Sequence, residues 1–174
     1  MWFWKRLIRL FKWDADAHNA VKDWNRWHIF KIGETERLKE YLIRQIKSAN
    51  KWVLIIDPYI DETTFELIKN KKYWVKGEIR YEVKKTLKAL WEDTARLSNI
   101  LKLKKDPMDK DIRVRTVQNL HDRYLVIDNV VWSVSNSMNS SLGSRVTNVQ
   151  RLNNHMREIL EAYGNYYDEN LYRK

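Results

Sequence analysis

The order of apolar and polar residues predicts helices and strands in alternation over the first half of the chain. Residues 34–49 place apolar side chains three and four positions apart, as in an amphipathic helix. Residues 52–57 form a continuous apolar run that is closed by Pro58, which is typical of a central strand buried on both faces. A short helix over residues 63–70 and a strand over residues 78–83 are expected to follow.

Strands dominate the pattern in the second half. Residues 111–117 alternate between apolar and polar, as in a half-exposed strand. Residues 121–127 and 130–135 are predicted to pair as a hairpin through the two-residue turn Asp128-Asn129. The remaining predicted elements are a long helix over 84–104, a strand over 147–152 and a closing helix over 153–167. The pattern predicts an α/β fold, with a mixed β-sheet flanked by helices on both faces.

The N-terminal residues have a different pattern. Residues 1–13 (MWFWKRLIRLFKW) place apolar side chains on one helical face and basic ones on the other, and a second helix is expected over residues 14–30. Such a cationic helix can lie on a membrane surface or dock on protein, and docking is the favoured interpretation. We therefore expect an N-terminal helical extension over residues 1–33, a main domain over residues 34–174, and a cytoplasmic protein with a membrane surface as an alternative partner.

The excess of positive charge favours a partner that carries many negative charges. The 174-residue chain has a formal net charge of +10, and residues 69–88 carry eight basic residues against two glutamates. Clustered lysines and arginines bind phosphate polymers by releasing counterions. Since cysteine is absent, thiolate zinc sites, disulfides and cysteine nucleophiles are excluded. We predict a nucleic-acid-binding patch made of Lys69, Lys71, Lys72, Lys76, Arg80, Lys84, Lys85 and Lys88.

The predicted hairpin brings together residue types that bind phosphate. His121 and Arg123 are two apart, so on a strand they share a face. The turn would place His121 opposite Asn136, with Ser137 and Asn139 at the same end of the hairpin. Arg123 can bind a phosphate bidentately, and the hydroxyl and amide groups can donate to its other oxygens. No metal is needed for such a site.

These residues also carry a resemblance to a known family. The spacing HxRxxxxD, from His121 through Arg123 to Asp128, resembles the HxKxxxxD signature of the phospholipase D superfamily. The segment NSMN, residues 136–139, resembles that family's GSxN element, and VLIIDPYI, residues 53–60, resembles its early apolar strand. The resemblance covers residues 36–165 with the motifs in order.

The resemblance implies a phospholipase D-like catalytic domain and a phosphodiesterase that needs neither metal nor cofactor. His121 would attack phosphorus to form a phosphohistidine, with Arg123 and Asn139 beside it and Asp128 supporting the turn. Because the chain has one copy of the motif, the resemblance implies a homodimer in which His121 of the second copy is the general acid. Histidine suits both roles because its ordinary pKa lies near 6.5.

Three positions depart from the family pattern. Arg123 stands where lysine is usual, but keeps the charge and a fork that suits phosphate. Asn136 replaces the glycine of GSxN. Gln150 is the nearest counterpart of a glutamate that orients the histidine in many members, and an amide cannot stabilise an imidazolium by charge.

Other functions remain open at this stage. Asp57-Pro58 followed by Glu82 and Lys84 matches the short pattern of magnesium-dependent nucleases, although this leaves residues 121–139 unexplained. A degenerate phosphate-binding module and a phospholipase at a membrane surface are further alternatives. The basic cluster favours a nuclease with little sequence specificity, acting on DNA or RNA.

Overall fold

The structure, a computed structural model, describes residues 27–82, 98, 111–117, 119–152 and 156–163. The helix expected over residues 1–13 and most of the one expected over residues 14–30 lie outside these ranges. So does the helix expected over residues 84–104, apart from Ser98, which is helical.

Seven strands form one mixed sheet. Its core is β2, whose five residues are all buried because strands lie on both sides of it and helices cover both its faces. β2 pairs in parallel with β3 and antiparallel with β5, and the spatial order is β1-β7-β6-β5-β2-β3-β4. The strands are β1 Trp27–Phe30, β2 Trp52–Ile56, β3 Lys76–Glu82, β4 Ile112–Val117, β5 Tyr124–Ile127, β6 Val130–Val134 and β7 Thr147–Leu152.

Three described helices cover the sheet from both sides. Helix α1, Thr35–Ser48, and helix α2, Glu62–Lys69, pack on one face, where they share a core with Ile55 of β2. Helix α3, Met156–Tyr163, contributes Ile159 to a second core on the other face. This architecture confirms the predicted α/β class and the mixed sheet. Among the described helices, none combines the length and apolar character needed to span a membrane.

The β5–β6 hairpin has the predicted register. Tyr124 is opposite Ser133, and Ile127 is opposite Val130 across the Asp128-Asn129 turn. Asp128 has a φ of 51°, a left-handed conformation that aspartate adopts more readily than most residues. The turn residues therefore fixed the strand pairing, as expected from local chemistry.

Two predicted elements were wrong. The strand expected over residues 121–127 begins only at Tyr124, so His121 and Arg123 precede β5 and do not lie on it. Residues 27–30, predicted as the end of a helix, form edge strand β1 and pair antiparallel with β7. For residues 27–30 the pairing with β7 decided the outcome, and no local pattern records it.

Candidate functional site

The loop after β6 meets the end of β2 at one edge of the sheet. The backbone N–H of Met138 donates to the Asp57 carboxylate at 2.6 Å, and the Thr64 hydroxyl of α2 donates to the Met138 carbonyl at 2.7 Å. The N–H of Ser140 donates to Asp61, the N-cap of α2, at 2.7 Å. Residues 136–142 are thereby fixed against both the strand end and the helix start.

Asp57 is a fully buried carboxylate at the centre of this junction. It accepts from the N–H groups of Tyr59 and Met138 and hydrogen-bonds with the Ser137 hydroxyl. Burial raises the pKa of Asp57 to about 6, although these hydrogen bonds and the nearby Arg123 act in the opposite direction. Asp57 can therefore exchange its proton close to neutral pH.

Arg123 is held in a fixed position beside that carboxylate. Its Nε donates to the Ser137 hydroxyl at 2.8 Å and lies 3.9 Å from an Asp57 oxygen. Its guanidinium carbon lies 5.8 Å from the centre of the Tyr59 ring. Among the described residues, its two terminal nitrogens have no hydrogen-bond acceptor, and they can donate to an anion.

A cavity of about 350 Å³ opens in front of Arg123 and Ser137. Among the described residues its walls carry two arginines, hydroxyls and amides but no carboxylate. Such a composition favours an anionic ligand with many oxygen acceptors. The lining residues are Tyr59, Arg123, Asn136, Ser137, Asn139, Ser141, Ser144 and Arg145.

Asn136 and Asn139 line the cavity, but their amide groups are engaged with the protein. The Asn136 amide nitrogen donates to the Val146 carbonyl at 2.8 Å and to the Thr147 hydroxyl at 3.0 Å. The Asn139 amide nitrogen donates to the Tyr59 carbonyl at 2.8 Å, and its oxygen accepts from Ser141. Both amides therefore shape the loop.

His121 is exposed and lies outside the cavity wall. It makes no hydrogen bond or ion pair with another described residue. Its neighbour Asp122 accepts a hydrogen bond from the Tyr163 hydroxyl of α3, which holds the segment before β5 against that helix. The imidazole is therefore open to a ligand or to a second protein molecule.

Asp128 and Gln150 also lie away from the cavity. The Asp128 carboxylate, at the opposite end of β5, accepts from the backbone N–H groups of residues 50–52 at 2.8 to 3.3 Å. Gln150 lies within β7, opposite Ser133 of β6, so β6 separates it from β5. Of the predicted site residues, the structure gathers Arg123, Asn136, Ser137 and Asn139, and it places His121, Asp128 and Gln150 elsewhere.

The predicted basic patch is divided by the fold. Arg80 is only 5% exposed, because Nε donates to Glu78 at 2.7 Å and a terminal nitrogen donates to the Tyr163 carbonyl at 3.2 Å. Lys71 is also buried. Neither residue forms part of an open surface, while Lys69, Lys72 and Lys76 remain at least partly accessible. Lys84, Lys85 and Lys88 lie outside the described residues.

Sequence reasoning missed four of the lining residues and the role of Asp57. Tyr59, Ser141, Ser144 and Arg145 come from a strand end and from the loop before β7, whose meeting is a long-range contact. Asp57 was weighed only as a metal ligand. Its position directly after a buried strand was the available signal, since strand ends commonly position polar side chains at functional sites.

The described residues contain no group of three acidic, histidine or cysteine side chains arranged to hold a metal ion. Asp57, the first residue of the alternative metal pattern, instead accepts from Met138 and faces Arg123. Lys84 of that pattern lies outside the described residues. These contacts are those of a structural carboxylate, which holds the loop after β6 and the Arg123 side chain in place.

No protein-family model and no curated protein matches the sequence. The fold is similar to that of NucT. NucT from Helicobacter pylori shares 19% sequence identity with a TM-score of 0.54, over 79% of this chain and 90% of NucT. TrmBL2, an archaeal chromatin protein with a novel mode of DNA binding, shares 13% identity with a TM-score of 0.51, over 95% of this chain and 64% of TrmBL2.

Proposed function

We propose that the protein is a metal-independent phosphodiesterase of the phospholipase D type that cleaves nucleic acid. The observation that carries the proposal is that Arg123 and Ser137 contact each other and the buried Asp57, and that both line a cavity whose described walls carry two arginines and no carboxylate. The HxRxxxxD motif supplies His121 two positions before that arginine. The similarity in fold to NucT from Helicobacter pylori is in keeping with this proposal.

In this proposal the arginine binds the phosphate and the histidine attacks it. The terminal nitrogens of Arg123 hold two non-bridging oxygens, and charge that develops on them in the transition state strengthens that contact. His121 attacks phosphorus, the P–O bond to the leaving group breaks, and a phosphohistidine forms. Water then attacks the phosphohistidine, which releases the product and restores the free imidazole.

The leaving oxygen needs a proton, and a second copy of the chain would supply it. The exposure of His121 supports this arrangement, because two such side chains can face each other across a two-fold axis. The protonated imidazole of the second copy gives its proton to the leaving oxygen and takes one from the attacking water. A homodimer is thus part of the proposed mechanism.

Nucleic acid is the proposed substrate because of the overall charge of +10 and the accessible lysines. The similarity in fold to TrmBL2, which binds DNA, is in keeping with this choice. We propose a cytoplasmic location, with residues 1–13 docked on protein. Flotation with anionic liposomes, with and without these residues, tests the membrane alternative.

The proposal is tested with labelled DNA, RNA and phosphatidylcholine, each in excess EDTA, using the wild type, His121→Ala and Arg123→Ala. We expect cleavage of nucleic acid that survives EDTA. Arg123→Ala should lower the activity by about 100- to 1,000-fold, the range for removing one transition-state donor. His121→Ala should lower it by about 10,000-fold or more, because this variant removes both the nucleophile and the general acid of the dimer. The matched control is His28→Ala, since His28 lies on β1 against the Tyr41 ring and away from the cavity.

Three outcomes would contradict the proposal. They are cleavage that requires a metal and disappears in Asp57→Ala, cleavage of phosphatidylcholine alone, and full activity of His121→Ala. A strictly monomeric mass at micromolar concentration, together with full activity, would contradict the shared site.

A second candidate is a nucleic-acid-binding module that has lost catalysis. The observation that favours it is the position of His121 outside the cavity wall, while the groups that bind anions remain in place. Oligonucleotide binding that needs Arg123, without turnover of any of the three substrates, would support this module and reject the enzyme.

A further inference from the structure

Much of the cavity wall is formed by the loop between β6 and β7, and this loop is held by hydrogen bonds of its own. The loop is closed by backbone hydrogen bonds from Leu142 to Asn139 and from Ser144 to Ser141, at 2.9 and 3.0 Å. The Val146 carbonyl and the Thr147 hydroxyl accept from Asn136. Arg145 therefore follows a closed turn and precedes a fixed strand.

The backbone of Gly143 packs directly against the start of α1. Its φ of 83° lies in the left-handed region, and a Cβ atom there would lie 2.7 Å from the backbone Cα of Thr35. The Gly143 carbonyl accepts from the N–H of Gly33 at 3.1 Å. Since a side chain cannot be accommodated, the loop approaches α1 through its backbone, and only glycine fits at this position.

Arg145 gives the cavity a second permanent positive charge. Its side chain is exposed and lines the cavity together with the Ser144 hydroxyl, which makes no hydrogen bond to another described residue. A volume of about 350 Å³ lies within the range of pockets that hold whole small molecules, and a single phosphate group would leave much of it empty. The two arginines are thus suited to two anionic groups.

We propose that Arg145 binds the phosphate adjacent to the one held by Arg123, so that the site takes two successive phosphodiesters of one strand. This inference rests on the proposed function and names its substrate class, a nucleic-acid strand instead of an isolated phosphodiester. The exposed face of Tyr59 lies beside Arg123, where it can contact the nucleoside between the two phosphates. Arg145 then confers preference for a polymer without reading its sequence.

The test compares a dinucleoside monophosphate, which has one phosphodiester, with a trinucleotide that has two. We expect Arg145→Ala to lower kcat/KM about 10-fold or more on the trinucleotide and to leave the single diester unaffected, whereas Arg123→Ala impairs both. Arg145→Lys should recover part of the loss, because a lysine can still pair with a phosphate as a point charge. The matched control is Arg113→Ala, which removes an exposed arginine from β4.

Binding measurements separate this inference from the proposed function. Anisotropy titrations of the two oligonucleotides at several salt concentrations should show that Arg145→Ala reduces the salt slope by about one for the trinucleotide only. This result would support the inference even if neither oligonucleotide were cleaved, which would by itself reject the proposed function. Equal losses on both ligands, or no loss on either, would overturn the role of Arg145.

Discussion

The two ends of the β2–β5 strand pair each carry an aspartate that accepts several backbone N–H groups, and the two carboxylates differ in their surroundings. Asp57 is fully buried and faces Arg123, which lines the cavity. Asp128 is partly exposed and accepts from the backbone N–H groups of residues 50–52. One end therefore combines structural support with a group that can change charge, while the other end gives support alone.

This difference shows how one residue type serves two purposes. At the Asp128 end, solvent lowers the cost of the charge, and the hydrogen bonds hold a turn in place. At the Asp57 end, the absence of water makes the charge costly and makes its interaction with Arg123 strong. Asp128, which belongs to the HxRxxxxD motif, lies at the supporting end, whereas Asp57, which faces the cavity-lining Arg123, lies outside the motif.

The sharpest test of this comparison is the dependence of stability on pH. Since burial raises the pKa of Asp57 from 3.8 to about 6, the native state holds a proton that the unfolded state has released within this window. The free energy of unfolding should therefore fall by about 2 kcal/mol as the pH rises from 4 to 6, and by about 3 kcal/mol over the whole titration, at 1.36 kcal/mol per pKa unit. Urea denaturation at several pH values measures this effect.

The matched variant for this measurement is Asp57→Asn, which cannot ionise. It should be less stable at low pH, because one carboxylate oxygen that accepts a backbone N–H is replaced by an amide NH₂. Its free energy of unfolding should nevertheless lack the fall between pH 4 and 6. An unchanged fall in Asp57→Asn would mean that another group is responsible and would break the comparison.

Removal of the other aspartate should have a smaller and purely structural effect. Asp128→Ala leaves the N–H groups of residues 50–52 without their acceptor and puts alanine at a φ of 51°. We expect a loss of about 2 kcal/mol in the free energy of unfolding, since partly exposed donors recover water as a partner. Asp128→Asn should lose less, because asparagine tolerates this φ and keeps one oxygen acceptor.

Activity measured on folded Asp128→Ala should match that of the wild type. If the variant folds but is inactive, Asp128 takes part in catalysis, and the distinction between the two ends of the β2–β5 strand pair no longer holds.

The smallest expected effect concerns an aromatic pair near the Asp128 turn. Tyr73 and Trp74 are 66% and 57% exposed, and the Lys72 ammonium lies 5.7 Å from the Trp74 ring centre. The Lys72 ammonium also donates to the side chain of Asn50 at 2.9 Å, and the backbone N–H of Asn50 donates to Asp128. If a long strand reaches this end, Trp74→Ala should weaken its binding by about 1 kcal/mol, through the loss of one stacked base.

The matched control is Trp27→Ala, which removes a similarly exposed tryptophan from β1. Titration of a 20-nucleotide single strand should distinguish the two variants, while a dinucleotide should bind both equally. Equal affinities for the long strand would confine nucleic-acid binding to the cavity end.

The sequence predicted what depends on neighbours along the chain. The hairpin register follows from the Asp128-Asn129 turn, and the buried run of β2 follows from apolar residues closed by Pro58. Residues 27–30 fit helical spacing and strand alternation equally well over such a short segment. Only pairing with β7, more than 100 positions later, decides in favour of a strand.

The candidate site was predicted in part for the same reason. Arg123 and Ser137 were found because one hairpin brings them together. The Asp57 contact with Met138 spans 81 positions and has no local signal. The position of His121 could not be derived either, because strand arithmetic assumes that β5 extends to residue 121.

The place of β2 in the sheet has a consequence for synthesis on the ribosome. Residues 34–82 can form α1, β2, α2 and β3 as soon as they emerge, but the other edge of β2 must wait for β5. Asp128 follows β5 and accepts hydrogen bonds from the residues that precede and begin β2, and it lies 77 positions beyond Lys51. During this delay a fully apolar strand edge is unpaired, and such edges promote association between nascent chains. We expect the early part of the chain to depend on chaperones until the hairpin has been made.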